Sequence, residues 1–392
     1  MAMNDLSFQQ IATVLNAIHQ QATGQAAQSV LNTQDFVTVA QAVLKTGYDS
    51  TLQAISQVLS RTIFSVRPYN RKFKGLEASE IRYGNHVRKL NIADKAWETD
   101  DRKPLTEGAS VDQQIVSKPV ILQTNFYGQD VYQRHYTVFR DQLDVAFSSP
   151  DEFARFVGMV TQNASDMIEQ AHENLARNTL VNYIGGVYEG PNATNQVVHL
   201  LTEYNTATGQ SLTLVQLMTA ANYPAFVKWA FARIAALASL LTERSTLYHT
   251  NVTNKVISRH TPYERLKTFI LASDKFGIES RVLADTFHDS YLSYPENNET
   301  VNFWQSIQSP ASINAAVTFM KTDGTLDSTQ TAAISPVFGV LLDEEAAGYT
   351  VVNQWSAPAP FNARGGYTNI WYHFTDRYWN DFTENGIVLV LD

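Results

Sequence analysis

The chain contains no cysteine, which removes disulfide scaffolds, thiolate metal sites and cysteine nucleophiles from consideration and suits a reducing cytoplasm. Basic residues are missing from the start: no lysine or arginine precedes Lys45, so the amino terminus lacks the cationic opening of a secretory signal. Long apolar runs are missing too. The longest, near Phe231 to Leu241, is interrupted by Arg233 and is too short to cross a bilayer, so a soluble chain without a membrane partner is expected. The net charge of -9 argues against nucleic-acid binding as the main task. Phosphate-cradling glycine loops, G-x-S-x-G and H-E-x-x-H are all absent, so no enzyme class, cofactor or metal is indicated.

What is present is length and an unusual middle. With 392 residues and 44% hydrophobic content the chain can bury large cores, and two or three domains are expected. Ser149-Pro150-Asp151-Glu152 places a hydroxyl, a proline and a carboxylate in the order of a helix start. Phe153, Phe156, Val160, Ala164, Met167, Ile168, Ala171 and Leu175 then recur at three- and four-residue steps, and Gly185-Gly186 is the predicted stop. At about 1.5 Å per residue the rod is roughly 50 Å long, more than most single domains measure across. The C-terminal strands are its expected packing partner.

Ahead of the rod, Glu80 to Ile92 and Gln114 to Phe126 read as two strands of a long arm with a polar tip around Trp97 to Gly108, and neither run keeps a clean apolar face. Such an arm is marginal alone in water, so a second copy of the chain is its expected support. Charge distribution agrees: residues 61–103 carry 11 lysines and arginines against 6 acids, whereas residues 341–392 carry 2 against 7. Arg82, Arg88, Lys89, Lys95, Trp97 and Lys103 on the arm, and Asp343, Glu344, Glu345, Asp376 and Asp381 near the tail, are therefore the candidate contacts between subunits.

Elsewhere the patterning predicts amphipathic helices through Leu6, Ile11, Leu15 and Ile18 and through Phe36, Ala40, Val43 and Leu44, and a strand over Tyr132 to Phe139. Helices are expected from Asn222 to about Leu241, over 262–273 behind Thr261-Pro262-Tyr263-Glu264, and near Glu279 to Ser290. Short strands are predicted at Thr246 to Thr250 and Lys255 to Ser258, and longer ones at Val337 to Leu342, Tyr349 to Trp355, Tyr367 to Trp379 and Gly386 to Leu391.

Two chemical readings compete with assembly. Glu169-x-x-His172 has the spacing of a di-iron bundle ligand pair, but no second copy exists and a polar helix face explains it better. Asp343-Glu344-Glu345 with Trp355, Trp371, Tyr372, Tyr378 and Trp379 could serve a carbohydrate-binding or carbohydrate-active surface protein. Neighbouring strand residues point to opposite faces, however, and aromatics at alternate strand positions are more often cross-strand pairs.

At Leu122-Gln123-Thr124-Asn125-Phe126-Tyr127-Gly128, at Arg140-Asp141-Gln142-Leu143-Asp144-Val145-Ala146-Phe147-Ser148-Ser149-Pro150 and at Ile168-Glu169-Gln170-Ala171-His172-Glu173, the sequence resembles the major capsid protein of small short-tailed phages of the picovirus group. The resemblance implies an α+β, Hong Kong 97-type capsid fold: an N-terminal arm at 1–61, an extended hairpin loop at 62–127, a peripheral domain at 128–215 and 340–392 with spine helix 150–185, and an axial domain at 216–339. It further implies a non-enzymatic virion shell subunit, assembled in the bacterial host cytoplasm as pentamers and hexamers. Scaffolding protein and portal would be its partners, with packaged DNA touched only non-specifically at the inner surface. Some relatives cross-link loop lysines to asparagines, but no such trio aligns here, and neither Lys95 nor Lys103 is assigned that role.

Overall fold

The computed structural model describes residues 8–24, 30, 33–45, 73, 75–78, 87–103, 105–142, 147, 149–272 and 298–392. In chain order they form α1 (Phe8–Thr23), α2 (Thr33–Lys45), β1 (Val87–Ile92), β2 (Ile121–Phe126), β3 (Gln129–Phe139) and the long helix α3 (Pro150–Tyr188). There follow β4 (Val197–His199), α4 (Leu200–Thr208), α5 (Tyr223–Thr242), β5 (Leu266–Leu271) and β6 (Asn298–Val301). The chain continues with β7 (Ile313–Met320), β8 (Leu326–Ile334), β9 (Val337–Asp343), β10 (Ala347–Pro358), β11 (Tyr367–Asn380) and β12 (Gly386–Val390).

Helix α3 starts where its sequence says it should. Pro150 is its first residue, and the Ser149 carbonyl accepts the Phe153 amide at 3.1 Å. Phe153 is buried against Phe36 and Phe147, at ring separations of 5.8 and 5.2 Å, and so ties the first turn to a cluster built from α1 and α2. Val138 and Ile370 close that cluster from the three-stranded sheet β10-β11-β3.

The predicted stop at Gly185-Gly186 is a correction: α3 continues through both glycines to Tyr188. They serve close approach, not termination. A Cβ on Gly185 would lie 2.5 Å from Val317 Cγ1 on β7, and one on Gly186 would lie 2.6 Å from Phe382 Cζ. Asn182 fixes the docking by accepting the Thr318 amide at 2.8 Å and donating to the Thr318 carbonyl at 3.1 Å. Gly185→Val is expected to lower stability by about 1–3 kcal/mol through overpacking, read as a lower urea midpoint; an unchanged midpoint would mean that β7 can step back without loss.

The weight of α3's packing also lies further along than its sequence stripe indicates. Met167 and Ile168 are only half-buried, whereas Leu175, Ala176, Leu180, Val181, Tyr183, Ile184 and Val187 are enclosed on nearly every side. They sit between the antiparallel β7-β8 hairpin and one face of the five-stranded sheet β4-β12-β9-β5-β6. Helix α5 covers the other face, where Phe226, Val227, Ile234 and Leu237 meet Phe338, Leu341, Ile387 and Leu389. By length and composition α5 could span a membrane, but its apolar stripe is built into this core, and Arg233 pairs with Glu203 of α4 at 2.7 Å.

A second correction concerns 262–273. Tyr263–Arg265 is a single 3-10 turn, and β5 follows in place of the expected helix. The Thr-Pro-x-Glu signal is local, but Leu266, Phe269, Ile270 and Leu271 are covered on both faces, and β5 is hydrogen-bonded to β9 on one side and β6 on the other. Thr246–Thr250 and Lys255–Ser258 are not strands but loop, with isolated bridges such as Ser245 to Arg259. The helix expected near Glu279 to Ser290 lies outside the described residues. Sheet membership crosses the boundaries drawn at 215/216 and 339/340: β4 and β12 share one sheet with β5 and β6, and β9 itself spans residue 339.

Candidate functional site

The arm is a two-stranded antiparallel ribbon running in register from Val87 opposite Phe126 to Ile92 opposite Ile121. Alternation gives β1 two unlike faces. Arg88, Leu90 and Ile92 point outward and are exposed, while Lys89 and Asn91 turn toward the body beside the buried Leu122 of β2. One more backbone bond, from the Ala93 amide to the Val120 carbonyl at 2.8 Å, extends the pairing. Every described residue from Lys95 to Val120 is exposed, with Trp97 100%, Ile115 74% and Val116 79% accessible.

Lys89 brings together part of the predicted contact set, but within one chain. Its ammonium lies 2.8 Å from Glu345, 3.0 Å from Asp381 and 2.5 Å from Glu384. Burial opposes its charge, but the Asp381 and Glu384 charges and the hydrogen bonds to Glu345 and Glu384 prevail and hold its pKa far above the ordinary lysine value. Burial likewise works against the Glu345 carboxylate, yet hydrogen bonding and charge from Lys89, with help from Arg265, bring its pKa down to about 2. Glu384 is raised by burial in spite of Lys89 and Arg259, the latter at 2.9 Å. Asp381 is locked from below by the Thr383 amide at 2.9 Å and hydroxyl at 2.6 Å.

The remaining candidates divide. Asp343 is buried, accepting the Thr261 hydroxyl and the Glu345 amide, each at 2.9 Å, and Arg265 holds Glu344 at 2.6 Å and also binds Glu345. Asp376, expected on an acidic outer surface, is fully buried in β11 with His172 of α3 3.2 Å away. The strand's alternation carries it inward with Phe374, which a sequence rich in polar residues on both sides does not reveal. Arg88 is exposed at a cleft of about 450 Å³ that it shares with Glu77, Phe126, Lys267 and Trp379. Among the described residues Lys95 contacts the tip itself, Glu98 at 3.4 Å and Ser117 at 3.0 Å. Trp97 and Lys103 are exposed, and Arg82 lies outside the described residues.

Sequence reasoning missed Glu384, Arg259 and a second fastening at Asp94, which accepts from Arg244 and from the Ser258 amide, each at 2.6 Å. The turn Asn380-Asp381-Phe382-Thr383-Glu384-Asn385-Gly386 is polar, but the cation it holds stands 295 positions from Glu384. Among the described residues no group of three or more His, Asp and Glu side chains is placed to hold a metal, and His172 faces Asp376. The tail aromatics form neighbouring-strand pairs: Trp355 stacks on His373 at 4.1 Å and Trp371 meets His135 at 4.6 Å.

No curated protein sequence matches the chain. Among solved structures, a chain from the capsid structure of Staphylococcus phage Andhra aligns with a TM-score of 0.55 at 10% identity, covering 84% of this chain and 87% of that one. A chain from the structure of the head fiber and inner core protein gp22 of native bacteriophage P68 aligns with a TM-score of 0.57 at 12% identity and the same coverages, 84% and 87%. At these identities the likeness is one of fold, and it agrees with the α+β, Hong Kong 97-type architecture read from the sequence. The family described as Phi29-like phage major capsid protein matches residues 13–390, and with nearly the whole length accounted for, the chain belongs to that family.

Proposed function

We propose that copies of this chain join as pentamers and hexamers into an icosahedral head, with residues 95–120 of each arm reaching a neighbouring copy. As a member of its family the chain is a capsid shell subunit, so many copies stand together in the virion. The carbohydrate reading has no support in the comparisons. The observation that carries the arm's role is its exposed tip: Trp97, Leu105, Val111, Ile115 and Val116 present apolar surface that a lone subunit would leave in water. Arg88, Lys95 and Lys103 are the charged residues proposed to meet a neighbour; Lys89, Asp343, Asp376 and Asp381 are spent within the subunit.

By this reading β10-β11-β3 with α3 forms the peripheral part, and the five-stranded sheet with α5 the axial part. A scaffolding protein and a portal would guide closure, assembly would take place in the host cytoplasm, and packaged DNA would meet the inner surface without sequence preference. The test is to express the full chain, fractionate it by size and image the leading peak by electron microscopy. Capsomers or closed shells are expected; a uniform monomer at every concentration and salt, with or without a co-expressed scaffold, would overturn the proposal.

A further inference from the structure

We propose that the arm is fastened to its own body by a carboxylate latch centred on Lys89, and that mild acid opens this latch and frees the arm while the body stays folded. The inference concerns the arm within one chain and stands wherever the tip docks.

Among the described residues, the side-chain fastenings of β1 and the residues just after it to the body are mainly charge contacts. Lys89 enters a cage of Glu345, Asp381 and Glu384, and Asp94 binds Arg244 and the Ser258 amide. Among the described residues the other contacts are the Asn91 side chain accepting from the Arg259 guanidinium at 3.2 Å, the Asp94 amide on the Val256 carbonyl at 2.8 Å, and Leu122 in the apolar core. The body, by contrast, is held by apolar burial around α3, β9 and β12, which acid does not remove.

The charges around the cage favour release in the same direction. The turn after β9 brings Asp343, Glu344 and Glu345, and the turn before β12 brings Asp381 and Glu384. Against these five carboxylates stand Lys89 from the arm, Arg259 and Arg265 from the segment before β5, and Lys267 on β5, whose charge burial weakens. Among the described residues, α3 brings the Tyr183 hydroxyl, which burial and the Asp381, Asp343 and Glu384 charges keep protonated. His249, beside Asn385, is kept toward its neutral form chiefly by burial, so it adds no cation near neutrality.

Lys89 favours the ionised forms of Glu345 and Glu384 by its charge and its hydrogen bonds, so protonating either carboxylate weakens the hold on the arm. Docking is therefore favoured above their titration and is lost as pH falls through it. Glu384, raised by burial, protonates early in that descent, whereas Glu345, at about 2, is among the last.

Hydrogen exchange on the full, unassembled chain, corrected for intrinsic rates, tests this at about pH 7 and about pH 4.5. Protection of amides in β1 and β2 should fall at least about tenfold in acid while that of residues 175–187 in α3 persists. Glu384→Gln, which mimics the protonated acid, should leave the arm less protected at about pH 7 and shrink the difference between the two pH values, and Lys89→Met should leave it unprotected at both. The proposal is overturned if wild-type β1–β2 protection is the same at both pH values, if it falls only together with residues 175–187, or if Lys89→Met protects the arm as wild type does. Should Lys89→Met fail to fold, the wild-type pair and Glu384→Gln decide the question alone.

Discussion

Arg177→Met should destabilise the subunit by about 3–5 kcal/mol, the range for stranding one member of a buried ion pair. Arg177 sits on the enclosed half of α3, where its guanidinium binds Glu173 one turn back at 2.6 Å, donates to the Phe303 carbonyl and lies 3.7 Å from the centre of the Phe303 ring. Methionine fills much of the same space but takes the Arg177 charge away from the buried Glu173. The companion variant Glu173→Gln with Arg177→Met should recover most of the loss, because both charges are then gone. Urea unfolding of the three chains checks this. If the single variant loses less than about 1 kcal/mol, the pair does not hold the helix in place.

The largest effect on assembly is expected from the arm tip. Ile115→Asp with Val116→Asp, in a chain also carrying Trp97→Ala, should cut the yield of large particles at least about tenfold, since a central aromatic anchor and its apolar neighbours carry most of an interface's energy. The melting temperature of the isolated subunit should not move, because all three side chains are exposed there. A normal particle yield would mean that the tip buries nothing on a neighbour. Charge at the same surface should matter less: exposed pairs contribute about 0–1 kcal/mol each, so Arg88→Glu alone should only tilt the dependence of yield on salt. Lys89→Glu is unsuitable for that test, because it would place a fourth acid inside the subunit's own cage.

Local chemistry made much of this chain legible from its residues. The start of α3 at Ser149-Pro150, the start of α5 at Asn222-Tyr223-Pro224 and the four C-terminal strands all follow from signals within one or two turns of the chain, and the structure places them there. The arm's position in the chain, its exposed tip and the family resemblance were legible for the same reason.

Tertiary structure alone decided the rest. Gly185-Gly186 reads as a stop, yet β7 and Phe382 press so close that the glycines become part of the packed helix. Thr261-Pro262-Tyr263-Glu264 reads as a helix start, yet strands on both sides claim the following apolar run for the sheet. Opposite charges at the two ends of the chain read as a bond between subunits, but Lys89 meets Glu345, Asp381 and Glu384 of its own chain. Helix caps and strand alternation are set by residues a few positions apart, so a sequence displays them. Close backbone approach, sheet order and the partner of a charge depend on segments tens to hundreds of residues away, and those distances exist only after the chain has folded.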